Sequence, residues 1–433
     1  MICLRFILGF ATACLLLLSA RSASAASPPR ITITAPAEGD WTIEYQFDRP
    51  TTELHFARSP DASRAVDWIA PQPFLIAKDG EDEVIRRRDG ASFAAVRIAV
   101  PPLYRVLPSD YAPFAPFSDG GLLFHSGRFF ACPSKCAANA SWSMRLIAPP
   151  EKDILLDGVR RHGIAAWGDS GEGRNVYVGR ATPVETPDLV AIFDAGLPAD
   201  IRNRLAAHLP AFMRYFAAHL GKLPGRPMLF ASYDPAHKGG YGRQGGTLPG
   251  QVFTHFYGSK WPELMRKPDF PDELLWFFAH EAGHLYQRQI FTAGNEGAWI
   301  HEGGAEASAA IAMRALYPAA APYVARRIEQ ARGDCERHRG GRSLHAALRA
   351  DAYDAAYSCG LLINLEIDAS IRKADPSGDG LFAAWRDYIK RAGKGGEGQE
   401  DMFLASVAAI GGRDLAARIA RQLDDSRPDL GGL

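Results

Sequence analysis

In the stretch HEAGHLYQ, residues 280–287, two histidines stand four positions apart and Glu281 directly follows the first. On an α-helix His280 and His284 lie one turn apart on one face, where two imidazoles can hold a single metal ion. Glu281 is rotated by about 100° from His280, outside that ligand row but close enough to reach a water beside the ion. Zinc acidifies such a water toward a pKa of about 7, and a neighbouring carboxylate can take the proton during attack on a carbonyl and later pass it to a leaving amine. That is the chemistry of amide hydrolysis. At this chain's His and Glu counts the pattern arises by accident in about one sequence in fifty, so the competing reading is a helix with solvated or core histidines. A third ligand separates the two.

A spacer of seventeen residues leads from His284 to Glu302, within WIHEGGAEASAA. Glu302 opens a helix-forming run and can approach both histidines if LYQRQIFTAGNEGA turns the chain back. Glu306, one turn later, falls behind Glu302 on the same face; there it can accept the free N–H of a zinc histidine and fix its tautomer, or it is a solvated helix residue. His301 is one residue off the face that Glu302 presents and is the poorer ligand. One reading is thus His280, His284 and Glu302 around Zn2+, with Glu281 as general base and Glu306 in support; the other remains a helix of solvated or core histidines.

Elements able to position these residues are visible around them. In FPDELLWFFAHEAGHLYQRQI, Pro271 suits the first turn of a helix, Asp272 and Glu273 favour its positive end, and the aromatic residues that follow keep it packed. Upstream, from Ile31 to about Ala181, short runs rich in Val, Ile, Phe, Tyr and Trp alternate with turn residues and predict a β domain. WTIEYQFDRPTTELHFAR reads as two strands joined by a turn around Asp48-Arg49-Pro50. The two prolines of GRATPVETPDL mark a boundary near residue 185. Beyond it, PADIRNRLAAHLPAFMRYFAAHL has helical periodicity and RPMLFASYD reads as a strand. The glycine-rich KGGYGRQGGTLPGQ lacks the ending of a phosphate loop and reads as a flexible turn or an edge hairpin. From Pro271 onward most segments are helical. The predicted class is α+β, with boundaries at 27–185 for the amino-terminal β domain, 186–320 for a catalytic domain and 321–433 for a helical carboxy-terminal subdomain.

Residues 1–26 combine an early arginine, an apolar run from Phe6 to Leu18 and small residues around Ala23-Ser24-Ala25, the pattern of a cleaved secretory signal peptide. The expected destination is secreted or periplasmic, with no stable membrane insertion after cleavage. Among all 433 residues, 49 Lys and Arg balance 49 Asp and Glu, which excludes a global field that would attract nucleic acid or anionic lipid. Cys132, Cys136, Cys335 and Cys359 remain after cleavage; in an exported chain they point to disulfides, paired most simply as 132 with 136 and 335 with 359.

HExxH followed by a helix opening W-[IL]-x-E-G-x-A resembles the gluzincin metallopeptidases, in particular the M1 aminopeptidases and the M61 glycyl aminopeptidase family. YSCGLLINLEIDASIRK, residues 357–373, is similar to their segment in which a tyrosine precedes a glycine by three positions and an apolar helix follows; Asp368 and Arg372 match the M61 helix end. The resemblance covers roughly residues 186–425 and implies a thermolysin-like zinc peptidase domain acting on a peptide or protein substrate. It implies that His280, His284 and Glu302 bind zinc, that Glu281 is the base, and that Tyr357 donates a hydrogen bond to the oxyanion. The chain departs from the pattern in four places. The spacer is one residue shorter than in M1 enzymes, Cys359 stands where a basic residue is common, and the M61 PDZ domain is missing. GGTLPGQVFTHFYG lacks the glutamate that anchors a substrate's free amine in these families. A metal-dependent amidase acting on a non-peptide or cell-wall amide would use the same residues. A binding protein that kept the fold without turnover would need the ligands but not Glu281.

Overall fold

The structure is a computed structural model that describes residues 27–108, 110–238, 240–287, 295–393 and 400–426. The expected signal peptide, residues 1–26, lies outside the described residues. Among those described, no helix is long and apolar enough to cross a membrane.

The first half is β-rich, as its alternating sequence predicts. A five-stranded sheet runs in the order Ile164–Ser170, Ser141–Ile147, Arg30–Thr34, Trp41–Thr51, Phe93–Val100. Along Trp41–Thr51 the side chains of Trp41, Ile43, Tyr45 and Phe47 are buried while their neighbours are not, so one face of the pleat is core. A second five-stranded sheet and a four-stranded one close over the same aromatic interior, which includes Tyr45, Phe56, Phe124, Phe129 and Trp142. The turn expected around Asp48-Arg49-Pro50 is instead a passage between sheets. The strand continues to Thr51 with its register broken between Gln46 and Thr51, and Glu53–Phe56 pairs with Asp82–Arg87 in the four-stranded sheet. Pro50 has no N–H to give a ladder, so pairing lapses there and the chain is free to bend away.

The second half carries one sheet and a set of helices, which makes the chain mixed α+β. The sheet order is Val184–Glu185, Val190–Phe193, Met228–Asp234, Gln251–Tyr257, Gly242–Leu248. The glycine-rich stretch is thus the edge hairpin of its two readings: Gly242–Leu248 pairs antiparallel with Gln251–Tyr257 and, among the described residues, has no strand on its other side. Helices Ala199–Leu220, Phe270–Tyr286, Ala298–Leu316, Ala321–Arg339 and Asp354–Ala374 pack with the sheet around Phe212, Leu274, Phe278, Trp299 and Leu362. A smaller cluster, with Leu123, Leu155 and Tyr177 from the first half against Ile192, Phe230 and Phe253 from the second, joins the two.

Two features set the spacing of the helices. A Cβ on Gly303 would come within 2.3 Å of Gly360 backbone, and one on Gly360 within 2.7 Å of the Gly303 Cα. Only glycine at both positions lets Ala298–Leu316 and Asp354–Ala374 cross this closely, and the crossing lies beside Glu302 and one turn from Tyr357. Cys335 and Cys359 form a disulfide that ties Ala321–Arg339 to Asp354–Ala374, with Cα atoms 4.8 Å apart, and Cys132 pairs with Cys136 at 5.4 Å. Asp368 and Arg372 pair at 3.0 Å; Asp368 accepts from the Leu381 N–H, and so caps the helix Leu381–Ala392.

Candidate metal centre

The helix Phe270–Tyr286 begins as its sequence predicts, with Pro271 in the first turn beside Asp272 and Glu273. Its core face carries Leu274, Phe278 and Ala282, and its other side turns His280, Glu281 and His284 toward Ala298–Leu316 and the edge strand. His280 Nε2 and His284 Nε2 are 3.1 Å apart. Glu302 Oε2 reaches them from the neighbouring helix, 3.2 Å from His284 Nε2 and 3.5 Å from His280 Nε2. Zinc ligands at about 2.0–2.1 Å from a tetrahedral centre lie about 3.3 Å from one another, so this trio has the spacing of three ligands of a zinc set. Among the described residues no other group of three His, Cys, Asp or Glu ligands converges in this way.

The outer nitrogens are also provided for. Glu306 Oε1 stands 3.3 Å from His280 Nδ1, close enough for charge attraction although the contact is misaligned for a hydrogen bond. The Trp276 indole N–H donates to Glu306 Oε2 at 2.7 Å, and Arg327 lies 3.7 Å from the same oxygen. His284 Nδ1 is 2.8 Å from Gln287 Oε1, while the Gln287 amide N–H donates to the His301 carbonyl at 3.0 Å and so links the two ligand helices. The acceptor at His284 Nδ1 leaves its Nε2 as the ligating atom, and the Glu306 carboxylate beside His280 Nδ1 favours the same tautomer there by charge. His301 itself is buried against Trp385, and burial lowers its pKa to about 3.

Charges in this pocket are strongly coupled. Burial disfavours a charged His280, yet Glu302 and Glu306 outweigh it and raise its pKa to about 10. Burial works against charge on Glu302 and Glu306 too, but the histidines hold the Glu302 carboxyl well below its usual range and His280 with Arg327 lowers that of Glu306. Any divalent cation that binds here displaces protons from the imidazoles.

The edge strand positions Glu281. Arg243, Gly245 and Thr247 share the strand face turned to the helix, where four residues of helix advance about 6 Å and two of strand about 7 Å, so contacts repeat in step. Arg243 lies 3.4 Å from Glu273 and its guanidinium sits over the Phe277 ring at 4.6 Å. A Cβ on Gly245 would strike the Phe277 ring at 2.6 Å, so glycine is required for the approach. Thr247 then donates its hydroxyl to Glu281 Oε2 at 2.7 Å, with the Glu281 carbonyl at 3.1 Å.

The Tyr357 ring is 5.8 Å from that of His280 and 25° from parallel. Burial first, then the charge of Glu302, pushes its hydroxyl up, which keeps it protonated. Tyr353, one turn earlier, donates to Glu302 Oε1 at 3.1 Å. All six side chains singled out from the sequence are thus brought to one place: His280, Glu281, His284, Glu302, Glu306 and Tyr357. The sequence reading missed Thr247, Gln287 and Tyr353. Gln287 follows His284 by three positions and Tyr353 precedes Tyr357 by four, so helical spacing held a signal for both. Nothing local marked Thr247.

No family model and no curated protein matches the sequence. Solved structures match the fold. The M1 zinc metallopeptidase from Deinococcus radiodurans has a TM-score of 0.51 at 15% identity, covering 94% of this chain and 97% of that one. A mutant of it bound to Tyr-Ser-Ala substrate gives 0.51 at 14% identity, over 93% and 95%. Native leukotriene A4 hydrolase from Saccharomyces cerevisiae gives 0.54 at 12% identity, over 92% of this chain and 67% of that one. The nearer likeness to M61 proteins rests on the sequence motifs alone. The architecture described above is the fold shared with the M1 zinc metallopeptidase from Deinococcus radiodurans and with leukotriene A4 hydrolase.

Proposed function

We propose that the chain is an exported, zinc-dependent metallopeptidase that hydrolyses peptide bonds. One observation carries the reading: two imidazole nitrogens and a carboxylate oxygen meet at zinc-ligand spacing, with a further carboxylate, Glu281, held beside them by Thr247. Zinc held by His280, His284 and Glu302 would polarise a carbonyl and acidify a water. Glu281 accepts the proton of the attacking water and returns it to the leaving amine. Tyr357, kept protonated by its burial and by Glu302, donates to the oxyanion as it develops. Gln287 holds the His284 ring in orientation, and Glu306 attracts the Nδ1 side of His280 by charge. A peptide substrate is supported by the fold neighbours, one of which was solved with Tyr-Ser-Ala. The edge of Gly242–Leu248, unpaired among the described residues, can add an extended backbone as a further strand.

That strand bears no carboxylate, so a free amino terminus has no anchor on it and the reading favours cleavage that does not depend on one. The divisions at residues 185 and 320 belong to the same proposal; the first is supported by separate cores formed from residues 31–178 and from residues 189–423. Export to the periplasm or medium is supported by the two disulfides and the leader-like first 26 residues. The test is mass-spectrometric reading of products from a mixed peptide library with free and blocked amino termini. Comparable cleavage of both is expected, and strict dependence on a free amine would refute this version.

A further inference from the structure

Between helices Ala321–Arg339 and Asp354–Ala374 lies a cavity of about 140 Å³, which Glu306 and Tyr357 help to line. Both residues also meet His280, Glu306 through its 3.3 Å approach to Nδ1 and Tyr357 by stacking. The cavity is therefore one side chain away from the candidate reacting centre. A space of this size takes a group about as large as benzene, which is one medium-sized side chain.

Its charges are unequal. Three carboxylates line it, Glu306, Asp334 and Asp354, against the single guanidinium of Arg327. Arg327 stands 3.7 Å from Glu306, Arg337 pairs with Asp334 from outside the lining, and the His338 imidazole faces the Ser358 hydroxyl at 3.3 Å. Asp354 has no cation within ion-pair reach among the described residues. With the Asp334–Arg337 pair set aside, two carboxylates still face one cation. Ala331 and Leu361 add apolar wall, so the cavity has the build of a slot for an aliphatic stem that ends in a positive charge.

We propose that this cavity receives the side chain of a residue flanking the cleaved bond and selects lysine there, with its ammonium group at Asp354. The proposal rests on the peptidase reading for its reaction, but the recognition step stands separately. Peptides that differ only in lysine, norleucine or glutamate on either side of the scissile bond test it. At one flanking position lysine should exceed norleucine by up to about five-fold in kcat/KM, the scale of an exposed ion pair, since Asp354 itself is exposed, with glutamate lowest. Asp354→Asn, which keeps the side chain's shape, should collapse the lysine-to-norleucine ratio to near one. Equal values for the three peptides would overturn the proposal. The same peptides are also titrated against the zinc-loaded Glu281→Gln protein. A lysine preference in Kd without any turnover by the wild type keeps the cavity assignment and sinks the peptidase reading. Absence of a lysine preference in Kd overturns the cavity assignment whatever the turnover.

Discussion

Replacing Thr247 by valine isolates one hydrogen bond at the centre of the proposed mechanism. Valine keeps the branched shape that suits the edge strand and removes only the hydroxyl, which lies 2.7 Å from Glu281 Oε2. A hydrogen bond to an ionised carboxylate is worth about 1.5–3 kcal/mol net, and Thr247 is only half-buried, so the lower end applies. If that energy holds Glu281 in the rotamer that reaches the attacking water, its loss lowers kcat about ten-fold. KM should change by less than about two-fold, because the hydroxyl touches the base and not the substrate. Zinc content, read by elemental analysis, should equal that of the wild type, since none of the three ligands contacts Thr247. A double-mutant cycle with Glu281→Gln supplies the control: once the carboxylate is gone, Thr247→Val should cost nothing further. An unchanged kcat, or a full ten-fold loss that persists in the Glu281→Gln background, would refute the argument that Thr247 acts by orienting Glu281.

Other perturbations separate binding from chemistry and site from scaffold. Glu281→Gln should retain one zinc per chain yet lose about 10³-fold in kcat, whereas Glu302→Ala should lose the metal itself on dialysis. Gly360→Ala drives a methyl group into Gly303, so Tm should fall by the equivalent of about 1–3 kcal/mol and zinc affinity should weaken as Glu302 is displaced; an unchanged Tm would contradict the close crossing. His345 bridges Glu400 and Asp424, and its hydrogen bond to Glu400, acting against burial, raises its pKa to about 9. Its folded value lies above the unfolded one of about 6.5, so its contribution is complete below about pH 6.5 and is lost as pH rises through about 9. Asp424 is 74% exposed, which screens the pair to about 1 kcal/mol. Urea unfolding at both ends of that range should show the loss in the wild type, and His345→Asn should flatten it.

The parts of the site readable in advance were those whose geometry is set within one helix. His280 and His284 converge because four residues make about one turn, and Glu306 follows Glu302 by the same rule. The α+β class was likewise legible, since alternation and helical periodicity are properties of short windows. The passage at Pro50 was misread as a simple turn because a proline removes a ladder bond without saying which sheet the next strand joins. The role expected of Tyr357 follows from the family resemblance; its stacking on His280 depends on the Gly303–Gly360 contact, 57 residues apart in sequence by their numbers.

By itself the order of residues determined which side chains share a helical face, and therefore that two imidazoles and a nearby carboxylate were available for a metal. Tertiary structure decided that Glu302 closes the set, that Thr247 on an edge strand grips Glu281 across 34 positions, and that a charged cavity opens beside Tyr357. The physical reason is range. Backbone hydrogen bonding converts spacing into direction within a turn or a pleat, whereas contacts between elements depend on how close two backbones come, and here that closeness depends on glycines whose partners no local pattern names.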